Sequence, residues 1–380
     1  MALAAVPAPV LRPSPAAAEP AYSFAAGPAR LPDAVLARAG EALFARGGDG
    51  AAAIERPFTG DAFRATLAHA RERLAALLAL PANYRILFMA GGAMQHFSLL
   101  PMNLLGASRR AAYADSGYWS RRAIDEGWKQ AAVSVVATPP AGAPAAPDVS
   151  PGSGWDIPAD AAYCHLTPNE TADGVAWAAL PDTGAVPLVA DVTSCFLAAP
   201  LDVSRFGLLY AGAQKNIGPA GLSVVVVRDD LLERARPELP APFSYAVQAA
   251  QDSCVTTPPT AAIQLAALVF DWIAERGGLP AMAAANAAKA ARLYGFIDAS
   301  GGFYTAPVRR DCRSPVNVRF HLADSVQDAV FAAEAERRGL FHLRGHPRVG
   351  GLRASLYNAM PMTGVDALVD FMADFMRRRG

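Results

Sequence analysis

One lysine-bearing turn constrains this chain more than any other feature. Residues 210–221 read Tyr-Ala-Gly-Ala-Gln-Lys-Asn-Ile-Gly-Pro-Ala-Gly, so Lys215 sits among small residues, and the run Leu222-Ser223-Val224-Val225-Val226-Val227 follows at once. Glycines let a backbone adopt positive φ and approach another molecule closely. The β-branched run after them reads as a buried strand. A lysine held in such a turn can be desolvated, which lowers its pKa and makes it a nucleophilic amine able to form a Schiff base. A surface lysine in a Gly/Pro loop reads the same way, and the turn alone does not separate the two.

Upstream, Pro187-Leu188-Val189-Ala190-Asp191-Val192-Thr193-Ser194 is a short apolar strand that ends on a carboxylate. A strand-ending Asp is often only a turn or helix cap. Followed by a lysine after the next strand, it is what pyridoxal phosphate requires. The acid pairs with the protonated pyridine nitrogen, so the ring acts as an electron sink, and the lysine carries the aldehyde as an imine.

The segment Ala211-Gly212-Ala213-Gln214-Lys215-Asn216-Ile217-Gly218-Pro219-Ala220-Gly221 resembles the lysine motif of the phosphoserine aminotransferase family. So do Ser116-Gly117-Tyr118-Trp119, Pro168-Asn169-Glu170-Thr171, Thr257-Pro258-Pro259-Thr260 and Gly350-Gly351-Leu352-Arg353-Ala354-Ser355-Leu356-Tyr357-Asn358-Ala359-Met360. The match runs in the family's order from about Tyr22 to the C-terminus. It implies a fold-type I pyridoxal-phosphate transferase of the α/β class, with a mixed, mostly parallel sheet in a large domain and a smaller C-terminal α/β domain.

The resemblance also implies roles. Lys215 is the imine-forming base and Asp191 the ring-nitrogen partner. Ala93 and Met94 sit in the glycine turn that cradles the cofactor phosphate. Trp119 stacks on the pyridine ring, Thr171 bonds the ring hydroxyl or its neighbours, and Gln214 completes the set. Arg353 clamps the substrate carboxylate, with Trp119 and His346 beside it and Ala26 at the family's serine position. Thr256, Thr257 and His346 resemble positions that reach across a homodimer with shared active sites. The substrates the resemblance implies are an amino acid such as glutamate and a 2-oxo acid, either 3-phosphohydroxypyruvate or, given an altered phosphate clamp, a different 2-oxo acid. A lyase or decarboxylase on the same fold is the alternative.

At 380 residues the chain is long enough for two cores. Its 34 basic and 34 acidic residues balance, so there is no basic field to recruit nucleic acid or an anionic membrane. No stretch approaches the roughly 18 uninterrupted apolar residues of a membrane helix. Cys164, Cys195, Cys254 and Cys312 are scattered, without metal-ligand spacing. They read as free thiols in a reducing, cytoplasmic setting, with no metal expected.

Residues 1–20 read as a flexible Ala/Pro-rich tail, 21–276 as the larger domain and 277–380 as the smaller. Asp33 is expected to cap a helix over 33–45, and spacing predicts a second over 63–80. Strand 85–89 runs into Ala90-Gly91-Gly92-Ala93-Met94, a turn that aims backbone N–H groups at an anion. A surface excursion is expected over 136–157. Hydroxyls at 256–257 are expected to cap a helix ending near 275, and Gly277-Gly278-Leu279-Pro280 to break the chain.

The sequence departs from the family where a substrate phosphate would be held. The family's Ser-His-Arg segment aligns with Pro57-Phe58-Thr59, so Thr59 stands for arginine. Its Gly-His-Arg appears as Gly345-His346-Pro347-Arg348, and Met94 occupies a position where some members carry arginine. Phe58, Thr59, Met94 and His96 are the expected wall of the side-chain pocket. Arg56 and Arg348 are the candidates to replace the lost charge.

Overall fold

The computed structural model describes residues 21–150 and 153–379, so the expected 1–20 tail lies outside the described residues. Its centre is a seven-stranded sheet. Across it run Tyr84–Ala90, Leu222–Arg228, Leu208–Gly212, Leu188–Asp191, Cys164–Leu166, Arg110–Ala114 and Ala132–Ala137. Leu222–Arg228 alone runs opposite to the other six strands of this sheet. The valines of that strand are buried on both faces. That is why it reads as a continuous apolar run rather than an alternating one.

The two faces of the sheet carry separate cores. Leu209, Val224 and Val226 face one packed by Leu67, Leu74, Ile263 and Phe270 from the helices Asp61–Leu77 and Thr260–Glu275. Tyr210, Val225 and Val227 face another, with Phe97, Leu100 and Ile124. Each fully buried Val, Leu or Phe contributes about 1.5–3 kcal/mol. A polar substitution at Val225 or Phe270 would strike the centre of a layer.

A second sheet, Tyr304–Thr305, Asn317–Leu322 and Leu352–Ser355, packs with the helices Asp328–Arg337 and Met362–Arg379 around Phe320, Phe331 and Phe371. Tyr22–Ser23 pairs in parallel with Leu340–Phe341, and Phe24 is buried in this same cluster. The expected division at 277 would have put that segment in the larger part, but its packing ties it to the C-terminal half. The helix Gly278–Ala299 joins the two cores, with Leu279 and Met282 in the first and Leu293 and Ile297 in the second.

Other expectations are corrected locally. The first helix is Asp33–Phe44, and Asp33 is its first residue rather than its cap, ion-paired with Arg30. The helix Thr260–Glu275 has no side-chain cap, and Thr256 and Thr257 are exposed ahead of it. Pro280 does not break the helix that starts at Gly278, because it lies in the first turn, where a missing N–H costs nothing. The 136–157 segment is not wholly superficial: Ala145 and Ala146 are buried with Val175, Val308 and Cys312.

Candidate active site

The site gathers at one edge of the large sheet. Five parallel strands and Tyr84–Ala90 all end there, and the segments leaving all of them but Ala132–Ala137 supply its side chains, as expected for an open α/β sheet. Asp191 closes its strand, and Lys215 follows the neighbouring strand that ends at Gly212. The two strands pair directly, Asp191 opposite Tyr210. Ala93, Met94, Trp119, Thr171, Asp191, Gln214 and Lys215 line one cavity of about 260 Å³, together with Gly92, Phe97, Thr167, Asn169, Thr193 and Ser194.

Lys215 Nζ donates to Thr171 Oγ1 at 2.6 Å. Burial lowers its pKa to about 8, against the opposing pull of the Asp191 charge. A useful fraction of this amine is therefore neutral near physiological pH, as a nucleophile or proton acceptor must be. Asp191 is buried, and burial raises its pKa, while hydrogen bonds from Thr193 offset that rise. The Thr193 N–H donates to Asp191 Oδ1 at 3.0 Å.

On the opposite side, the helix Ala93–Leu104 begins at Gly92 with no side-chain cap. The first N–H groups of such a helix are left for another acceptor, and the dipole favours an anion. Arg353 stands behind Thr171, its Nη1 donating to the Thr171 carbonyl at 3.2 Å. Ala26 lies alongside: its carbonyl accepts from the Tyr357 hydroxyl at 2.8 Å. A side chain on Gly27 would meet the Gln214 and Lys215 stems at 3.5 and 3.6 Å.

Several expected residues are elsewhere. His96 is not a pocket wall: it is fully buried, Nδ1 bonded to the Tyr245 hydroxyl at 2.7 Å and Nε2 to Ser223 Oγ at 2.8 Å. Burial pushes its pKa down to about 3, so it is a neutral structural histidine. Phe58 and Thr59 line a separate recess with Arg64, Arg71, Gln251 and Asp252. Thr256 and Thr257 do not line the Lys215 cavity of their own chain. His346 packs on Tyr118 and Trp119 of its own chain, ring centres 4.2 and 6.3 Å away, because the Gly345 turn is pinned to Gly351.

The structure adds Thr193, Asn169 and Glu170, which sequence reasoning left without roles. Glu170 and Asn169 belong to a motif already singled out, and two adjacent polar residues between buried strands were the available signal.

Residues 21–368 match the family model described as aminotransferase class-V. The chain belongs to the class-V aminotransferases. It is 48% identical to a phosphoserine aminotransferase of Azotobacter vinelandii over 95% of this chain and 99% of that one. A phosphoserine aminotransferase of Laribacter hongkongensis is 47% identical over 94% and 99%. Among solved structures, one from Bacillus circulans subsp. alkalophilus superposes with TM-score 0.91 at 40% identity, covering 96% of this chain and all of that one. The PLP-bound enzyme of Trichomonas vaginalis gives 0.86 at 38%, covering 93% of this chain and all of that one.

This aminotransferase is therefore a fold-type I, pyridoxal 5'-phosphate-dependent enzyme. The donor set fits the cofactor: a partly neutral lysine for its aldehyde, a buried carboxylate for its ring nitrogen, and uncapped helix N–H groups for its phosphate. Among the described residues no helix is long and apolar enough to cross a membrane, and no cluster could hold a metal ion.

Proposed function

We propose that this aminotransferase exchanges an amino group between glutamate and 3-phosphohydroxypyruvate, forming O-phosphoserine, as a homodimer with shared active sites. The observation that carries the chemistry is Lys215 Nζ, desolvated and hydrogen-bonded to Thr171 in the cavity walled by Asp191. The substrate class is supported by near full-length likeness to relatives named phosphoserine aminotransferase.

Each residue has a task in that reading. Lys215 Nζ takes the proton from the substrate α-carbon and returns it on the way to product. Asp191 stays ionised against the ring nitrogen, held to that position by Thr193. When bound, pyridoxal phosphate supplies the electron sink for the charge that develops at the α-carbon. The Ala93 and Met94 end of the helix holds its phosphate, Trp119 covers its ring, and Gln214 and Thr171 fix its edge. Arg353 receives the substrate carboxylate, whose planar geometry suits a guanidinium.

Arg348 is proposed to hold the distal phosphate. It is exposed one residue beyond Pro347, next to the His346 that packs on Trp119. Among the described residues no carboxylate pairs with it, whereas Arg56 is bound to Asp49 at 3.2 Å. Thr59, Thr256 and Thr257 are exposed away from their own cavity, as side chains serving a partner's site would be. The four cysteines are free, which supports a cytoplasmic setting. The division into residues 21–276 and 277–380 is retained as a proposal, with Tyr22–Phe24 packed on the smaller part.

A second reading rests on one observation: among the described residues, Lys215 is the only cation lining the cavity. A 2-oxo acid without a phosphate would suit such a wall. Adding amino acids singly to the holoenzyme and following the cofactor absorption decides between the two. O-phosphoserine and glutamate should both bleach the band near about 410–430 nm, as pyridoxal imines generally do; bleaching by a neutral amino acid alone favours the second reading. For the dimer, a verified Lys215→Ala/Thr257→Ala heterodimer should recover activity through its one intact composite site. No recovery counts against shared sites.

A further inference from the structure

The start of the helix Tyr118–Gly127 is fastened by acids from another part of the chain. Its cap residue is Gly117, which has no side chain to satisfy the first N–H groups. Instead, Asp173 Oδ2 accepts from the Tyr118 N–H at 2.8 Å. Glu170 Oε2 accepts from Trp119 at 2.9 Å, and Glu170 Oε1 from Ser120 at 2.8 Å. Glu170 Oε1 also accepts from the Ser116 hydroxyl at 3.2 Å. Thus each of the first three helical N–H groups points at a carboxylate.

The fit is tight. A Cβ at Gly117 would come within 2.6 Å of Asp173 Oδ2 and 2.9 Å of Glu170 Cγ, so only glycine leaves room for the pair. Glu170 is completely buried, and among the described residues it forms no ion pair. A buried carboxylate without a cation is expensive unless hydrogen bonds and a helix dipole offset the lost hydration. The segment that carries it leads straight to the site. Thr171, the next residue, receives Lys215 Nζ and Arg353 Nη1, and Asn169, the one before, is locked to Ser194 and Asn317.

We infer that Glu170, seconded by Asp173, is a positioning residue that ties the backbone of Trp119 to the segment holding Thr171 beside Lys215, and so sets the width of the slot the cofactor ring enters. This rests on the cofactor lying in the Lys215 cavity. Glu170 acts through Trp119 and Thr171 and touches no reacting atom. Its ionised form is the working form, because a protonated carboxyl gives up one acceptor oxygen. Burial, with the Asp173 charge adding to it, raises its pKa to about 7 against the pull of the N–H donors. The other charged and titratable groups around this cap are Asp115 and Arg121 at the helix start, Arg319 opposite Asp173, Lys215 and Arg353 at Thr171, and His346 on Tyr118.

The test is titration of full-length apoenzyme with pyridoxal phosphate, read by tryptophan quenching and by the circular dichroism of the bound cofactor at saturation. Glu170→Gln keeps the size but turns an amide donor toward N–H donors. It should weaken cofactor binding about tenfold or more and change the dichroic band at full occupancy. As pH drops through about 7, wild-type affinity should fall more steeply than that of Glu170→Gln, which keeps only the dependence due to Lys215. Asp173→Asn, at a half-buried position, should give a smaller shift of about threefold and serves if the first variant does not fold.

A folded Glu170→Gln with wild-type affinity, band and pH dependence overturns the inference, as does an unchanged Asp173→Asn when the first variant cannot be made. Wild-type protein that captures no cofactor would instead refute the placement of the cofactor in this cavity.

Discussion

The floor around Lys215 and an outer rim, made of residues 345–348 and of Thr59 in its separate recess, are held by different forces. On the floor, polar groups are tied to one another out of water. Asp191 is bound by Thr193, Thr171 by Lys215 and Arg353, and Glu170 by the start of the Tyr118–Gly127 helix. Removing a partner there strands a buried polar atom at a cost of about 1–3 kcal/mol. On the rim, Thr59, Pro347 and Arg348 are exposed, so water replaces whatever bond a substitution removes. The floor can change only as a set, while the rim can change one residue at a time.

The comparison breaks first at Lys215. Lys215→Ala should reduce turnover by about 10⁴-fold or more while leaving the fold intact. Exchange of the substrate α-proton in deuterated water, followed by NMR, checks it; exchange at the wild-type rate would move the base to another residue. On the rim, Arg348→Ala should cut kcat/KM for O-phosphoserine by about ten- to a hundredfold and leave glutamate nearly untouched. An equal loss with both donors would mean that Arg348 supports the fold or the carboxylate rather than the phosphate.

The floor also has a pH signature. Burial lowers the Lys215 pKa to about 8, so the neutral amine grows as pH rises through that value and is lost below it. Capture of pyridoxal phosphate by apoenzyme, trapped with borohydride, should therefore quicken about tenfold between pH 7 and 9. A rate that keeps climbing toward pH 10.5 would mean an ordinary, solvated lysine. The smallest effect is expected from Thr59→Arg, a gain of severalfold to about tenfold in O-phosphoserine kcat/KM. No change would place that recess away from any phosphate, the partner's included.

The floor was legible in the sequence because its constraints are local. An apolar strand ending at Asp191, a small-residue turn around Lys215 and the valine run after it each imply their structure from a few neighbouring residues. The glycine turn before Ala93 followed the same logic. What stayed hidden depends on distant packing. His96 faces inward because Tyr245 and Ser223, far along the chain, accept and return its hydrogen bonds. Tyr22–Ser23 joins Leu340–Phe341 across nearly the whole sequence. Glu170 reads as a turn carboxylate until the uncapped helix start at Gly117 is brought against it. Caps failed as signals too, since Asp33 and the threonines at 256–257 offer oxygens to helices that do not use them.

The most direct test is steady-state turnover of the unmodified protein with O-phosphoserine as amino donor and 2-oxoglutarate as acceptor. The account predicts a kcat/KM for O-phosphoserine of about 10⁴ M⁻¹s⁻¹ or above, with the product amino group traced to it by ¹⁵N label. A value orders of magnitude lower, beside a neutral amino acid that reacts faster, would contradict the proposed substrate.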